Sequence, residues 1–175
     1  MKAETGNIIK DLSSENIDHF NFTRNCWYEA MRMEPPSTVS GASCFIDDVT
    51  IGNVTFPKDL GFILLFWVMH MDPTEWAYPT SFIPDRFDST SPYFKRPDGA
   101  KRNSLSFTPF LGGKRVCLGK SFAEITTRHT LPLLFHYIDF QFSEAGQGYI
   151  PYHMGQVKTP EIFYNCVVKR LPKFK

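Results

Sequence analysis

The sequence has few cysteines, and they form no pattern that builds a zinc ribbon or a dithiol redox centre. Its 175 residues include 4 cysteines, which are Cys26, Cys44, Cys117 and Cys166. No two of them form a Cys-x-x-Cys pair, so zinc-ribbon and thioredoxin-type sites lack their signature here. Each cysteine therefore has to be interpreted from its own surroundings.

Excess charge and long apolar runs are missing as well. The formal net charge is +1, and without a basic stripe it gives no reason to expect a nucleic-acid partner. The longest apolar run, residues 60–71, is shorter than the roughly 20 residues that cross a bilayer. The polar residues 1–6 do not resemble a signal peptide. We therefore expect no nucleic-acid partner and no membrane anchor within this chain.

Phenylalanine, by contrast, is abundant. The chain contains 17 phenylalanines, with 42% hydrophobic, 15% aromatic and 21% charged residues. This composition is that of a globular chain, and the length suits one domain with its own core. The rings would suit either ordinary packing or a pocket for a flat aromatic ligand, and ordinary packing is the commoner use.

The first predicted element is a helix over residues 16–33, which the pair Pro35-Pro36 ends. Within it, Glu29 and Arg32 are three residues apart, so they share a helix face and can form an ion pair. Such a pair is most often a weak surface interaction. Its meaning here depends on what else the chain contains.

Short strands follow the helix. Residues 43–46, 49–51 and 54–56 have strand-like patterns, and the dipeptide Gly52-Asn53 predicts a hairpin between the last two. Residues 62–69 are expected to be a buried strand or short helix, which periodicity does not resolve.

A proline-rich segment, residues 79–87, has too many prolines for a regular element and too many aromatic residues for a solvated linker. It is expected to be an ordered, packed coil, in which Arg86 needs an acidic partner if it is buried. Residues 88–103 are polar and rich in turn formers, and they are predicted to form a surface loop.

The stretch from Phe110 to Gly119 places Cys117 in a glycine-punctuated loop just before a second predicted helix. Backbone N–H groups and the macrodipole at a helix N-terminus favour the thiolate form of cysteine. A thiolate is either a metal ligand or a nucleophile, and the loop alone leaves both open. The helix is expected to kink or end near Pro132, with a strand or a continued helix over residues 133–142 and a hairpin in the tail.

Taken in order, these segments are similar to the C-terminal half of a cytochrome P450 of the eukaryotic microsomal kind. The motifs that carry the resemblance are Glu29-x-x-Arg32, His70-Met-Asp-Pro73, Phe82-Ile-Pro-Asp-Arg-Phe87 and Phe110-x-x-Gly113-x-Arg115-x-Cys117-x-Gly119. The resemblance implies an α+β fold, the C-terminal part of the cytochrome P450 fold, with residues 1–175 as a single partial domain. Its parts would be the ExxR helix, a small β-sheet region, a packed coil, the cysteine loop, a haem-backing helix and C-terminal β-hairpins.

The resemblance also implies a haem b site on the cysteine loop. Cys117 would be the axial thiolate ligand of the iron and the catalytic residue, and Arg115 would pair with a haem propionate. Phe110 would pack near the porphyrin, while Gly113 and Gly119 would allow the tight loop. A structural triad, formed by Glu29, Arg32 and Arg86, would fasten the coil to the helix behind the haem.

The implied activity is monooxygenation, in which one oxygen atom of O₂ enters a small apolar substrate. Electrons would come from an NADPH-dependent reductase as redox partner. By family, the location would be the cytoplasmic face of the endoplasmic reticulum.

The chain begins just before the ExxR helix, so the anchor and the distal half that the family places earlier are not in it. We therefore expect a complementary N-terminal half or an assembly partner. The alternative function is that of a non-catalytic scaffold subunit derived from this family, with or without haem.

Overall fold

The computed structural model describes residues 12, 20–142, 152–153, 159–160 and 166–171. In these parts the chain forms an α+β structure, as predicted, with three α-helices and pairs of antiparallel strands. The helices are α1 (Asn21–Met33), α2 (Phe66–His70) and α3 (Lys120–Tyr137). The strands are β1 (Ser43–Cys44), β2 (Val49–Ile51), β3 (Val54–Phe56), β4 (Gly61–Phe62), β5 (Ile138–Phe142), β6 (Tyr152–His153), β7 (Thr159–Pro160) and β8 (Cys166–Arg170).

Helix α1 ends at Met33, just before the two prolines, as predicted. Residues 16–19, where the predicted helix begins, lie outside the described residues. The face that α1 buries is largely polar rather than apolar, because Glu29 and Arg32 are fully buried on it. This helix therefore meets the rest of the chain through charged groups.

The predicted hairpin is confirmed: β2 pairs with β3 around Gly52-Asn53. Gly52 has φ +60, a left-handed conformation that glycine adopts without strain. Strand β1 is shorter than predicted and pairs with β4.

Residues 62–69 begin as strand β4 and continue as helix α2, so both predicted conformations occur in sequence. The prediction that this segment is buried is wrong. Leu65 is 53% exposed and Val68 is 55% exposed, while Phe66 is buried. Strand β4 has a single neighbour, β1, in its sheet, so only one of its edges is paired.

Helix α3 does not end near Pro132, which was one of the two predicted outcomes. It continues to Tyr137 and is followed directly by β5. The missing N–H of the proline removes one helical hydrogen bond without breaking the helix. Strand β8 pairs with β5, whereas the hairpin expected in the tail corresponds to the pair β6 and β7. None of the three described helices has the length and apolar character that crossing a bilayer requires.

The core lies where α1, the turn after α2 and the segment before the cysteine loop meet. Its centre is Trp76, which is 0% exposed. The rings of Phe87 and Phe107 are 4.9 Å apart, and both approach Trp76. Phe107 lies three residues before Phe110, where the cysteine loop begins, so the chain enters that loop directly from the core.

Candidate functional site

Three buried charges lie at the base of the site. Glu29, Arg32 and Arg86 all have side chains that are 0% exposed. The carboxylate of Glu29 accepts hydrogen bonds from Nε and Nη2 of Arg32, each at 2.8 Å. It also accepts one from Nε of Arg86 at 3.0 Å and one from the backbone N–H of Ile83 at 2.9 Å. One carboxylate thus joins α1 to the proline-rich coil.

The arginines direct most of their remaining donors to backbone carbonyls between residues 70 and 81. Arg86 donates to the carbonyls of Ala77, Tyr78 and Ser81. Residues Pro84–Phe87 form a 3-10 turn, and the coil is packed as expected from its sequence. Burial lowers the pKa of Arg86, and its contacts with Glu29 oppose that shift. The triad is therefore a satisfied, buried network that holds the coil in one shape.

His70 connects this network to the cysteine loop. Its backbone carbonyl accepts a hydrogen bond from Nη1 of Arg32 at 2.9 Å, and its ring Nε2 accepts one from the backbone N–H of Thr108 at 3.1 Å. The side chain is 0% exposed. Burial, followed by the charge of Arg32, lowers the pKa of His70 to about 4, so the ring is neutral at physiological pH.

Arg102 is a supporting residue that sequence reasoning missed. Its guanidinium carbon stands 3.9 Å from the ring centroid of Trp76, and its Nη2 donates to the carbonyl of Tyr93 at 2.8 Å. Burial lowers its pKa to about 10. Local sequence gave no signal, because Arg102 lies in a polar stretch typical of a solvated loop.

Glu75, next to that tryptophan, fixes the same segment. Its Oε2 accepts hydrogen bonds from the backbone N–H of Asn103 at 2.9 Å and from Oγ of Ser106 at 2.8 Å. The first of these is the main reason that the pKa of Glu75 is lowered. Residues 102–106 are therefore held on the core before the chain enters the cysteine loop.

Within the loop, the backbone N–H of Cys117 donates to the carbonyl of Phe110 at 2.8 Å. A 3-10 turn, Gly113–Arg115, lies between them, and Gly113 has φ +61. This left-handed conformation favours glycine at position 113. Gly119 has φ −79, and a Cβ there would stand 3.8 Å from Sγ of Cys117, so the geometry does not require glycine at 119.

The side chains of Phe110 and Arg115 differ in burial. The ring of Phe110 is half-buried and lies 6.1 Å from the ring of Trp27 on α1. Arg115 is exposed, and it makes no hydrogen bond or ion pair with the residues that the structure describes. Its guanidinium is therefore available to an anion from outside this part of the chain.

Cys117 is a free, exposed thiol at the N-terminal end of α3. Among the described residues no ring nitrogen, carboxylate or amine bonds its sulfur, so a nucleophile would lack a neighbouring base. The same residues contain no cluster of three or more side chains that could hold a metal ion. A metal at this sulfur would therefore take its other ligands from outside the described residues.

The surface beside the sulfur is apolar and exposed. Leu118 is 101% exposed, Phe122 is 75% exposed and Ile125 is 59% exposed. Phe122 and Ile125 are three residues apart on α3 and share one side of it, and Leu118 lies just before the helix begins. Exposed apolar patches of this kind mark surfaces that a ligand or another protein segment covers.

A family model described as cytochrome P450 matches residues 1–166. The chain is 34% identical over 125 residues to cytochrome P450 4A12 of Rattus norvegicus, covering 70% of this chain and 23% of the relative. It is 26% identical over 142 residues to (+)-vincadifformine 19-hydroxylase of Catharanthus roseus, covering 81% of this chain and 27% of that enzyme.

A solved structure of a zebra fish cytochrome P450 with abiraterone has the same fold. It matches with a TM-score of 0.79 and 25% sequence identity, covering 98% of this chain and 38% of that one. The chain therefore spans roughly a quarter of the length of the curated relatives described above.

The buried triad predicts a large effect of neutralising its carboxylate. Glu29→Gln leaves two buried guanidinium groups without a counter-charge, so we expect the free energy of unfolding to fall by about 3 to 5 kcal/mol. Urea unfolding followed by far-UV circular dichroism measures it. The matched control is Asp98→Asn, because Asp98 pairs with Arg96 at a partly exposed site where solvent screens the charges. Similar losses in the two variants would contradict the triad's role.

The low pKa of His70 predicts a pH dependence of stability. Between its folded value of about 4 and its ordinary value of 6.5, the unfolded chain binds a proton that the folded chain does not. The free energy of unfolding therefore rises with pH across this window, by about 3 kcal/mol from this group. The contribution is complete above 6.5 and lost as pH falls towards 4.

Urea unfolding at several pH values, in the wild type and in His70→Gln, isolates this contribution. The variant keeps a neutral acceptor and has no titrating ring, so its stability should lack this part of the slope. Parallel curves for the two proteins over the window would show that His70 does not titrate as its burial requires.

Proposed function

The chain belongs to the cytochrome P450 family, and from that premise we propose that it provides the haem-thiolate part of a monooxygenase. The observation that carries the proposal is Cys117. It is an exposed thiol with no bonded base among the described residues, in a loop held by a buried network and next to exposed apolar side chains. We further propose that residues 1–175 form a single partial domain that corresponds to the C-terminal half of the enzyme.

The described residues fit haem b on three counts. Cys117 offers one soft ligand, which is what a porphyrin leaves for the protein to supply on one side of the iron. Arg115 offers a guanidinium with no partner among the described residues, suited to a propionate. The apolar side chains of Leu118 and Phe122 offer a surface for a flat hydrophobic ring system.

When bound, haem supplies the reductive activation of O₂ and the transfer of one oxygen atom to a substrate. This chain's residues would hold and tune it. Cys117 would donate thiolate electron density to the iron, with its backbone fixed by the carbonyl of Phe110. The ring of Phe110, packed against Trp27, would limit how far the loop can move, and Gly113 would permit its turn.

The substrate class that we propose is a small apolar molecule, which is what the resemblance to the family implies. The relative from Catharanthus roseus is named as a hydroxylase, which agrees with oxygen insertion. Two electrons per turnover would come from an NADPH-dependent reductase. The cytoplasmic face of the endoplasmic reticulum is the location that the family suggests.

A complementary polypeptide segment is part of the proposal. Apolar side chains are exposed both near the thiol and on β4 and α2, where Leu65 and Val68 are more than half exposed. A porphyrin needs both faces covered to be held and kept dry. We therefore propose an N-terminal half or an assembly partner that covers these surfaces.

The same exposed surfaces favour a second candidate function, a scaffold subunit in which Cys117 has no chemical role. The two candidates differ in what Cys117→Ala changes. A scaffold would assemble with its partner and accumulate to the same level in this variant. A haem-thiolate protein would lose its cofactor ligand.

The absorption spectrum of the reduced, CO-bound protein tests thiolate ligation. We expect the red-shifted band of a thiolate-ligated haem in the wild type and its loss in Cys117→Ser, because an alcohol does not replace the thiolate. Cys44→Ser is the control, since Cys44 is also free and exposed but lies on β1. A wild-type spectrum without that band, or a band that survives in Cys117→Ser, would refute the proposal.

Arg115→Met tests propionate binding. Loss of a charge-assisted hydrogen bond should weaken haem binding by about 1.5 to 3 kcal/mol, or about tenfold to a hundredfold. The rate of haem transfer to excess apomyoglobin measures this change. Lys114→Met is the matched control, because Lys114 is an exposed cation in the same 3-10 turn. Equal haem loss from both variants would mean that the site responds to net charge only.

A further inference from the structure

His70 lies between the buried triad and the cysteine loop: it bonds to Arg32 of the triad and to Thr108, two residues before the loop. We propose that His70 is a positioning residue for Cys117, which acts by holding the backbone of Thr108 and thereby the loop that closes on Phe110. The proposal rests on the proposed function in so far as Cys117 is the ligand being positioned. It extends the site to a residue outside both the triad and the loop.

The first step is how His70 itself is fixed. Its carbonyl accepts a hydrogen bond from Nη1 of Arg32 at 2.9 Å, and Arg32 is held by both oxygens of Glu29. The His70 side chain is 0% exposed, and its ring lies 5.4 Å from the ring of Phe107. Both the backbone and the ring of His70 are thus fixed, so the position of Nε2 is fixed as well.

The second step is the bond from the ring to the loop. The Thr108 N–H donates to Nε2 at 3.1 Å, which makes Nε2 the unprotonated nitrogen and places the ring proton on Nδ1. Nδ1 is buried and has no hydrogen-bond partner among the described residues. A buried donor without a partner costs free energy. The protein keeps this unpaired N–H at Nδ1 because only that tautomer lets Nε2 accept the hydrogen bond from Thr108.

The third step runs from Thr108 to the sulfur. The Thr108 carbonyl accepts from the N–H of Leu111 at 3.0 Å, and the Phe110 carbonyl accepts from the N–H of Cys117 at 2.8 Å. The bond from Thr108 to His70 spans 38 positions of the sequence. It is therefore a polar anchor of this segment on the core.

Amide hydrogen exchange with two substitutions tests the proposal without haem. His70→Asn keeps a polar side chain that is too short to reach Thr108, whereas His70→Gln places an acceptor near the position of Nε2. We expect exchange at Thr108 and Cys117 to become about tenfold faster in His70→Asn. Loss of the bond frees the part-buried N–H of Thr108 and loosens the loop that holds the N–H of Cys117. In His70→Gln the two rates should stay within about twofold of the wild type.

Exchange in the hairpin β2 and β3 and in α3 separates positioning from general destabilisation. The proposal requires these rates to remain unchanged in both variants while the loop responds. It is overturned if only Thr108 responds and Cys117 does not, if all segments accelerate together, or if His70→Gln behaves like His70→Asn. Circular dichroism establishes that each variant is folded before exchange is measured.

The haem-loaded protein gives a second readout. In the reduced, CO-bound spectrum, His70→Asn should lose part of the thiolate band while His70→Gln keeps it. An unchanged band in His70→Asn overturns the link to the ligand. If the wild type has no such band, the proposed function fails, while the exchange experiment still decides whether His70 positions the loop.

Discussion

The burial of one carboxylate between two guanidinium groups is the constraint on which the rest of the structure depends. Glu29, Arg32 and Arg86 are removed from water completely, and charges are tolerated there only when every donor and acceptor finds a partner. The two arginines carry more donors than one carboxylate accepts. Their remaining N–H groups therefore bond backbone carbonyls, and this need shapes the irregular coil around them.

The same constraint reaches the cysteine loop through backbone groups rather than through apolar packing. Arg32 donates a hydrogen bond to the carbonyl of His70, and the ring of His70 accepts one from the N–H of Thr108. Two residues later, the carbonyl of Phe110 accepts one from the N–H of Cys117. More polar and charged side chains than large apolar ones are fully buried among the described residues. Hydrogen bonds have narrow distance and angle limits, so such a network specifies the position of the loop more closely than burial of area alone.

Sequence patterns predicted the elements whose cause is local. Pro35 ends α1, Gly52-Asn53 forms the hairpin turn, and Gly113 forms the left-handed turn in the cysteine loop, because each acts on its own backbone. The sequence itself indicated only that Arg86, if buried, needs an acidic partner, and the resemblance to the family named Glu29 as that partner. The sequence did not predict the buried positions of Arg102 and His70, because their partners, Trp76 and Thr108, are distant in sequence. The exposure of residues 62–69 was missed because an apolar segment predicts burial. The sequence pattern does not show whether the surface that buries the segment belongs to the described part of the chain.

The described surface also links stability to binding. A core centred on charged groups and Trp76 buries little apolar area, while Leu118, Phe122 and Ile125 remain exposed beside the thiol. Anything that binds only the folded chain stabilises it in proportion to the logarithm of its concentration over its dissociation constant. A flat apolar group on this face would bury area that the folded chain alone leaves in water. Because the loop is already held by the triad and His70, little of that gain would be offset by ordering the loop.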